Sequence, residues 1–492
     1  MPIVLSLDAG TTGIRALTVD TSGGVTRVAY RELTQHFPRP GWVEHDLDEI
    51  WRLTLEVIDE VMAGVTEPVA AIGITNQRET VAAWDARTGR PRHRAIVWQD
   101  RRTADRCARH EADGHLDTVR SATGLVLDPY FSGTKFAWML TEGGVEADQH
   151  LRLGTIDTWL IWQLTGGAVH ATEPSNASRT MVFDIRSLTW HEELAGLLGV
   201  PLAALPEVRP SSGRFGVTAA TTALGAGIPV SGVAGDQQAA LFGQACFSPG
   251  MAKNTYGTGS FVLMNVGTDC PPPVDGLLTT VAWTLDEGGP VTYAYEGAIF
   301  VTGAAVQWLR DGLGIIGEAA EIGPLAAGVD DTGGVYLVPA FTGLGSPWWD
   351  PHARGTIVGL TRGSGRAELA RAVVEAMAYQ TRDVVDLMTA ASGQPPTELR
   401  VDGGASVMDL LLQLQADQIG VTVTRPANAE LTAVGAAFLA GLAEGVWSSA
   451  GEIAGIWSAE RRFQPAPDRT AADISHARWL AAVDRSRNWA RD

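Results

Sequence analysis

The chain has little cysteine: Cys107, Cys246 and Cys270 are its only three in 492 residues. An odd number without metal-ligand spacing excludes a disulfide framework and a thiolate zinc site, and fits a reducing compartment. Long apolar runs are also missing, and none approaches the length that spans a bilayer, so membrane insertion is not expected. The Met-Pro-Ile-Val start leads straight into a strand-like run, without the charged and then apolar regions of a signal peptide, so a cytoplasmic location is expected. Positive charge is scarce, with 37 Lys and Arg against 56 Asp and Glu and a net charge of -19. Such a balance repels nucleic acid and anionic membranes at long range. An anionic substrate would therefore need a local patch of donors, together with a metal.

What is present is the material of large folded domains. At 45% hydrophobic and 19% charged residues with 56 Gly, the composition is that of a soluble α/β protein, and the length suits two to four domains with their own cores. Ile3 to Asp8, Ile14 to Asp20 and Val25 to Glu32 are short apolar runs separated by Gly-rich turns, which predicts an antiparallel three-stranded meander. Asp46 with Glu49 three residues later predicts a capping box. Leu47, Ile50, Trp51, Leu55, Ile58 and Met62 then recur at helical spacing. Val69 to Thr75 and Ala95 to Trp98 read as further strands, with Thr80 to Gly89 as a hairpin between them. The second half repeats the theme: Lys253 to Met264 is again strand, Gly-Thr-Gly turn, strand. A long helix from Leu369 to Leu387, a strand from Leu399 to Asp402, and helices Asp409 to Ile419 and Thr432 to Glu444 around the strand Val421 to Thr424 follow. Two halves of like make-up suggest duplicated domains with a cleft between them, divided near Gly243 to Gly250 into residues 1–245 and 246–492.

The stretch Gly232 to Gly243 joins the halves and places Asp236 where a strand end turns into a buried helix. Ligands of open α/β folds sit at such strand ends. An Asp there can take a proton from a substrate hydroxyl or hold a metal-bound water; it can equally cap the helix. Both readings stand on these residues. Asp8-Ala-Gly-Thr-Thr-Gly13 adds an Asp at a strand end followed by small residues whose N–H groups and hydroxyls can converge on one anion. Gly257-Thr258-Gly259 repeats the device from the other half, and Asp402-Gly-Gly-Ala405 offers a third close backbone approach. Three such loops point to a nucleotide in the cleft.

Several longer motifs carry a family resemblance. They are Gly41-Trp-Val-Glu-His-Asp46, Gly73-Ile-Thr-Asn-Gln-Arg-Glu-Thr80, Ala95-Ile-Val-Trp-Gln99, Thr123 to Lys135, Asn176-Ala-Ser-Arg-Thr180, Ala234 to Gly243, Lys253 to Gly259 and Pro339 to Gly345. With them the chain resembles the FGGY family of carbohydrate kinases up to about Trp447, most of all its glycerol-phosphorylating members. The resemblance implies two actin-like (ribonuclease H-like) α/β domains closing over ATP and a polyol, and ATP-dependent phosphorylation of glycerol to sn-glycerol 3-phosphate. It implies that residues 1–245 carry the polyol site and catalytic Asp236, and 246–492 the nucleotide site. Arg78, Glu79, Tyr130, Asp236 and Gln237 would hold the polyol, with Trp98 and Phe261 as walls. An Arg fork and a Glu acceptor suit neighbouring hydroxyls, although adjacent opposite charges are more often an inconsequential surface pair. Thr11, Thr12, Gly13, Arg15, Thr258, Gly303, Gln307 and Gly404 would contact the nucleotide, and Asp8 and Asp236 would lie nearest Mg²⁺, mostly through water.

Departures from the pattern bear on selectivity. Met408 stands where an Asn commonly faces adenine in the relatives, Gly13 where a Ser is common, and Ala9 where a larger polar residue is. The segment Thr218 to Pro229 has neither Arg nor His, so a fructose bisphosphate loop and a phosphorylatable histidine are not expected. The tail from Ala459 matches poorly and is expected to be a solvated helix. A homo-oligomer is compatible with all of this. The alternatives are a family kinase for another small polyol or ketose, or a non-catalytic actin-like ATPase or filament subunit.

Overall fold

A computed structural model describes residues 1–220 and 224–490. Residues 221–223, within the segment where a regulatory loop is not expected, lie outside the described residues. The predicted meander is present as β1 (Ile3–Ala9), β2 (Gly13–Val19) and β3 (Val25–Glu32), antiparallel in sequence order. α1 (Leu47–Met62) follows, started by Asp46, whose Oδ1 accepts from the N–H groups of Asp48 and Glu49 at 2.9 and 3.2 Å. Glu49 does not complete a box; its carboxylate accepts from the Thr34 hydroxyl at 2.9 Å, a partner from outside the helix. β4 (Val69–Asn76), β5 (Ser212–Val217) and β6 (Pro229–Gly235) complete a six-stranded sheet in the order β5-β6-β4-β1-β2-β3. Between them the chain forms α2 (Pro174–Ala177), and β6 runs directly into α3 (Asp236–Gly243).

The expected hairpin at Thr80 to Gly89 takes a different course. Val81–Asp85 leaves the main sheet and pairs with Leu151–Thr155 and Ala95–Ile96 in a separate four-stranded sheet. The turn that redirects it is at Glu79, whose φ of 60° is a left-handed conformation rare for a side chain of this size.

The second half repeats the plan with β7 (Met251–Tyr256), β8 (Ser260–Gly267), β9 (Leu278–Thr284), β10 (Val291–Ile299), β11 (Glu398–Gly403), β12 (Val423–Pro426) and β13 (Ala459–Phe463). They form a seven-stranded sheet ordered β9-β10-β8-β7-β11-β12-β13. Its helices include α4 (Gly303–Gln307), the 27-residue α5 (Arg366–Ser392), α6 (Asp409–Ile419), α7 (Leu431–Ala443) and α8 (Thr470–Ser486). No described helix is long and apolar enough to cross a membrane.

Although α7 follows β12 in the chain, it packs on the first sheet and on α3. The approach is backbone to backbone: a Cβ on Gly243 would overlap the Leu431 carbonyl, and one on Gly435 the Ala239 carbonyl. Glycine is the residue that permits such contact. α3 and α7 therefore cross as a pair between the two sheets.

The tail corrects the expectation of a solvated helix. β13 extends the second sheet by pairing with β12. α8 buries His476, Trp479, Ala482 and Val483 against α5 and the neighbouring chain. Trp479 donates to Asp383 Oδ2 at 2.8 Å, His476 Nε2 lies 2.7 Å from Asp383 Oδ1, and the Trp479 ring stacks on Tyr379. Few apolar residues mark the sequence here, because one tryptophan supplies much of the contact. Removing a buried tryptophan side chain costs roughly 3–5 kcal/mol, whereas exposed substitutions change stability by about 0.5 kcal/mol or less. Trp479→Ala is therefore expected to lower the free energy of unfolding by the larger amount in a denaturant titration.

Candidate active site

The site is built from the carboxyl ends of three neighbouring parallel strands. Ala9, Asn76 and Gly235 pair in register at the ends of β1, β4 and β6. Asp8, the segment Gln77-Arg78-Glu79 and Asp236 are thereby set side by side. Asp236 is the first residue of α3 and not its cap; Gly235 holds that position, and the Asp236 Oδ1 accepts only from the adjacent Gln237 N–H, at 2.8 Å, and faces Arg78 Nε at 3.3 Å. Its side chain is 30% exposed while Arg78 beside it is 2% exposed, so the carboxylate looks into open space from a buried setting. Burial raises the Asp236 pKa, against the pull of Arg78 and Lys253. Burial likewise pushes Asp8 up to about 7, with Arg15 opposing and the Asp236 charge adding to the shift.

Beneath Asp236 lies a buried cluster of two arginines and two glutamates. Arg78 Nη1 and Nη2 donate to Glu296 Oε2 and Oε1 at 2.5 and 3.0 Å, and also reach Gln238 Oε1 and the Tyr130 hydroxyl, each at 3.2 Å. Arg179 donates from Nε to Glu79 Oε1 at 2.6 Å and from Nη2 to Glu296 Oε1 at 2.8 Å. Burial alone would raise Glu296, yet Arg179 and Arg78 hold it down to about 2. Glu79, although Arg78 and Arg179 both lie beside it, stays raised by burial. The fork expected to grip two polyol oxygens is thus occupied by Glu296, and Arg78 turns its Nε toward Asp236. Glu296, Arg179, Gln238 and Lys253 were not singled out from the sequence. Glu296 did leave a signal there, as the one charge within the apolar strand Val291–Ile299.

Two adjoining cavities open above the cluster. The first, about 460 Å³, brings together Thr11, Thr12, Arg78, Glu79, Trp98, Tyr130, Asp236, Gln237, Thr258, Phe261 and Gln307. Trp98 forms one wall, edge-on to Tyr130 and Phe261 with ring centroids 5.6 and 6.2 Å away, and its Nε1 donates to Thr11 Oγ1 at 2.9 Å. The second, about 730 Å³ and mostly apolar, collects Gly303, Gly404 and Met408 and shares Gly257, Thr258 and Gln307 with the first. Met408 lies against Gly323, where an added Cβ would sit 3.5 Å from its Cγ. The neighbouring Asp409 is held by Arg425 at 2.9 Å and by Arg461.

Gly13 and Arg15 line neither cavity. A Cβ on Gly13 would overlap both the Tyr30 ring and the Arg31 backbone carbonyl, so a serine there requires the ring and the β3 backbone to move. Arg15 is paired with Glu430. A further cavity of about 750 Å³ among Arg209, Arg214, Asp286 and Ser449 contains none of the candidate residues, and its arginines are paired with Glu207 and Glu444. Among the described residues no three or more His, Cys, Asp or Glu side chains cluster as a metal cage. Of the two carboxylates expected near a cation, Asp236 lines the first cavity, while Asp8 lines neither cavity and lies close enough to feel the Asp236 charge.

Residues 3–243 match the N-terminal domain of the FGGY family of carbohydrate kinases, and residues 252–444 match its C-terminal domain. A glycerol kinase of Carboxydothermus hydrogenoformans is 55% identical over 99% of this chain and 98% of its own. Glycerol kinase 2 of Thermotoga maritima is 54% identical over 99% of each. The crystal structure of Plasmodium falciparum glycerol kinase with ADP superposes with a TM-score of 0.92 at 33% identity, covering 99% of this chain and 98% of that one. The two crossing helices, the facing Gly-Thr loops and the full-length likeness have one meaning: this chain belongs to the FGGY family of carbohydrate kinases.

Proposed function

We propose that this kinase transfers the γ-phosphoryl group of ATP to glycerol, giving sn-glycerol 3-phosphate. The observation that carries this reading is the full-length similarity to glycerol kinases, joined to a cavity of about 460 Å³ whose polar groups suit a small polyol. Glycerol lies in that cavity, its carbons against Trp98 and Phe261 and its hydroxyls toward Glu79, Tyr130, Arg78 and Gln237. The nucleotide base enters the apolar second cavity, and its phosphates reach across the shared Gly257-Thr258 edge toward Thr11 and Thr12. Asp236 accepts the proton of the attacking hydroxyl, and its raised pKa brings it closer to the basicity that proton transfer near neutral pH requires. Phosphoryl transfer otherwise depends on positioning and on neutralising charge.

Asp8 and Asp236 are the residues that would hold Mg²⁺, which when bound neutralises phosphate charge. They would fit it as two carboxylates at the carboxyl ends of β1 and β6 in one sheet, with Asp236 opening into the first cavity. Residues 1–245 and 246–492 act as the polyol-binding and nucleotide-binding halves.

An ADP-release assay with glycerol, dihydroxyacetone, erythritol, xylulose and gluconate tests the substrate, with glycerol expected to give the highest kcat/KM; a preference for any of the last three overturns the assignment. Asp236→Asn keeps shape and removes the base, so kcat is expected to fall by roughly 10² to 10⁴ while ATP still binds. The same residue sets the pH dependence. Activity needs the carboxylate form, so kcat is expected to fall as pH drops through a pKa lying above the ordinary value of 3.8. Asp236→Asn should abolish that limb of the profile.

Base selectivity follows from Met408. A thioether packs on a flat ring but gives its edge no donor, and Asp409 is already engaged by two arginines. Apolar contact discriminates by only about 10- to 200-fold, whereas hydrogen bonding to an edge discriminates further. Met408→Asn is expected to increase the ATP to GTP ratio of kcat/KM with glycerol saturating, and an unchanged ratio would remove position 408 from the base.

A further inference from the structure

A buried carboxylate outside the cavities, Glu173, connects the catalytic strand end with the polyol-gripping one. It precedes α2, is fully buried, and accepts five hydrogen bonds. Oε2 takes the Ser175 N–H and the Ser211 hydroxyl, both at 2.8 Å. Oε1 takes the Ser175 hydroxyl at 2.5 Å, the Asn176 N–H at 2.6 Å and Asn176 Nδ2 at 3.0 Å. Two of these donors are backbone N–H groups that cannot reverse their role, so they favour the acceptor-only carboxylate against burial, which pushes it up to about 7.

Each arm continues to a reacting part of the site. Ser175, having given its proton to Glu173, presents a lone pair to the Gly235 N–H at 2.9 Å, and Gly235 immediately precedes Asp236. Asn176 forms a reciprocal amide pair with Asn76, at 3.0 and 3.1 Å, and Asn76 Nδ2 also donates to the Gln77 carbonyl at 3.0 Å. Asn76 ends β4, and Gln77, Arg78 and Glu79 follow it without a break. Ser211 extends the network to the second sheet by accepting the Thr284 N–H at 3.3 Å. Every member of the two arms is buried, and the arms reinforce the ladder in which Gly235 and Asn76 already pair.

We infer that Glu173 is a positioning residue for phosphoryl transfer: through Ser175 it sets the backbone from which Asp236 projects, and through Asn176 it sets the backbone carrying Arg78 and Glu79. This rests on the glycerol kinase reading above. The two arms make separable demands. Loosening Gly235 displaces the base from the attacking hydroxyl, which lowers kcat. Loosening Asn76 displaces the groups that hold the polyol, which raises its KM. Misplacement of a reacting group by about 1 Å costs about 10²-fold in rate, so shifts of a few tenths of an ångström are expected to cost roughly tenfold.

The test is steady-state kinetics of the full chain with glycerol and ATP varied separately. Ser175→Ala should lower kcat about tenfold with the glycerol KM within about twofold of wild type, and Asn176→Ala should raise the glycerol KM about tenfold with a smaller change in kcat. Glu173→Gln, which turns an amide donor toward donors, should do both and leave the ATP KM unchanged. A wild-type protein inactive on glycerol would overturn the functional reading itself. An active wild type with Ser175→Ala and Asn176→Ala sharing one kinetic signature, or with the glycerol and ATP constants failing together, would overturn the positioning role and leave a structural one. Should Glu173→Gln fail to fold, the two single-arm variants decide the matter, since each leaves the Glu173 carboxylate in place.

Discussion

Two buried ion pairs that share Glu296 span the two halves of this protein at its candidate site. Arg78 follows the last strand residue of one sheet's centre, Glu296 sits in β10 of the other, and the guanidinium meets the carboxylate through two hydrogen bonds with neither group exposed to water beyond 2%. Such a pair adds little net stability, because both charges lose their hydration, yet breaking it leaves an uncompensated buried charge at a cost of about 3–5 kcal/mol. Its effect is therefore on arrangement. Arg179 repeats the logic by joining Glu79 to the same Glu296, and in doing so holds Glu79 in its left-handed conformation. Backbone strain of this kind persists where the surroundings over-determine it.

The crossing helices supply the complementary constraint. α3 starts at Asp236 and is gripped by elements of both halves: it packs on β6, on β7 and β8, and on α7. Backbone contact at Gly243 and Gly435 leaves no room for a side chain at either position between α3 and α7. Asp236 is thus fixed on an element that both sheets hold. The second cavity is built in the opposite spirit, from apolar side chains around Met408 with its neighbouring charge, Asp409, tied to Arg425 and Arg461. Rigid polar geometry surrounds the first cavity, and apolar shape the second.

The sequence by itself determined the first meander, α1, the two like halves, the Gly-Thr turns and the place of Asp236 where a strand turns into a helix, because these are local: turn chemistry, periodicity and capping act over a few residues. It also placed Trp98, Tyr130, Phe261, Thr258 and Gln307 among the cleft residues through motif resemblance, and the structure gathers them around adjoining cavities. What only the tertiary structure decided depends on contacts between distant segments. Glu296 and Arg179 are 218 and 101 positions from Arg78, so no local pattern ties them to it. Arg15 is turned to Glu430, 415 residues away, instead of to either cavity. The tail gave too few apolar positions to announce burial, yet Asp383 waits on α5 for His476 and Trp479, and only the fold brings that acceptor within reach of its donors.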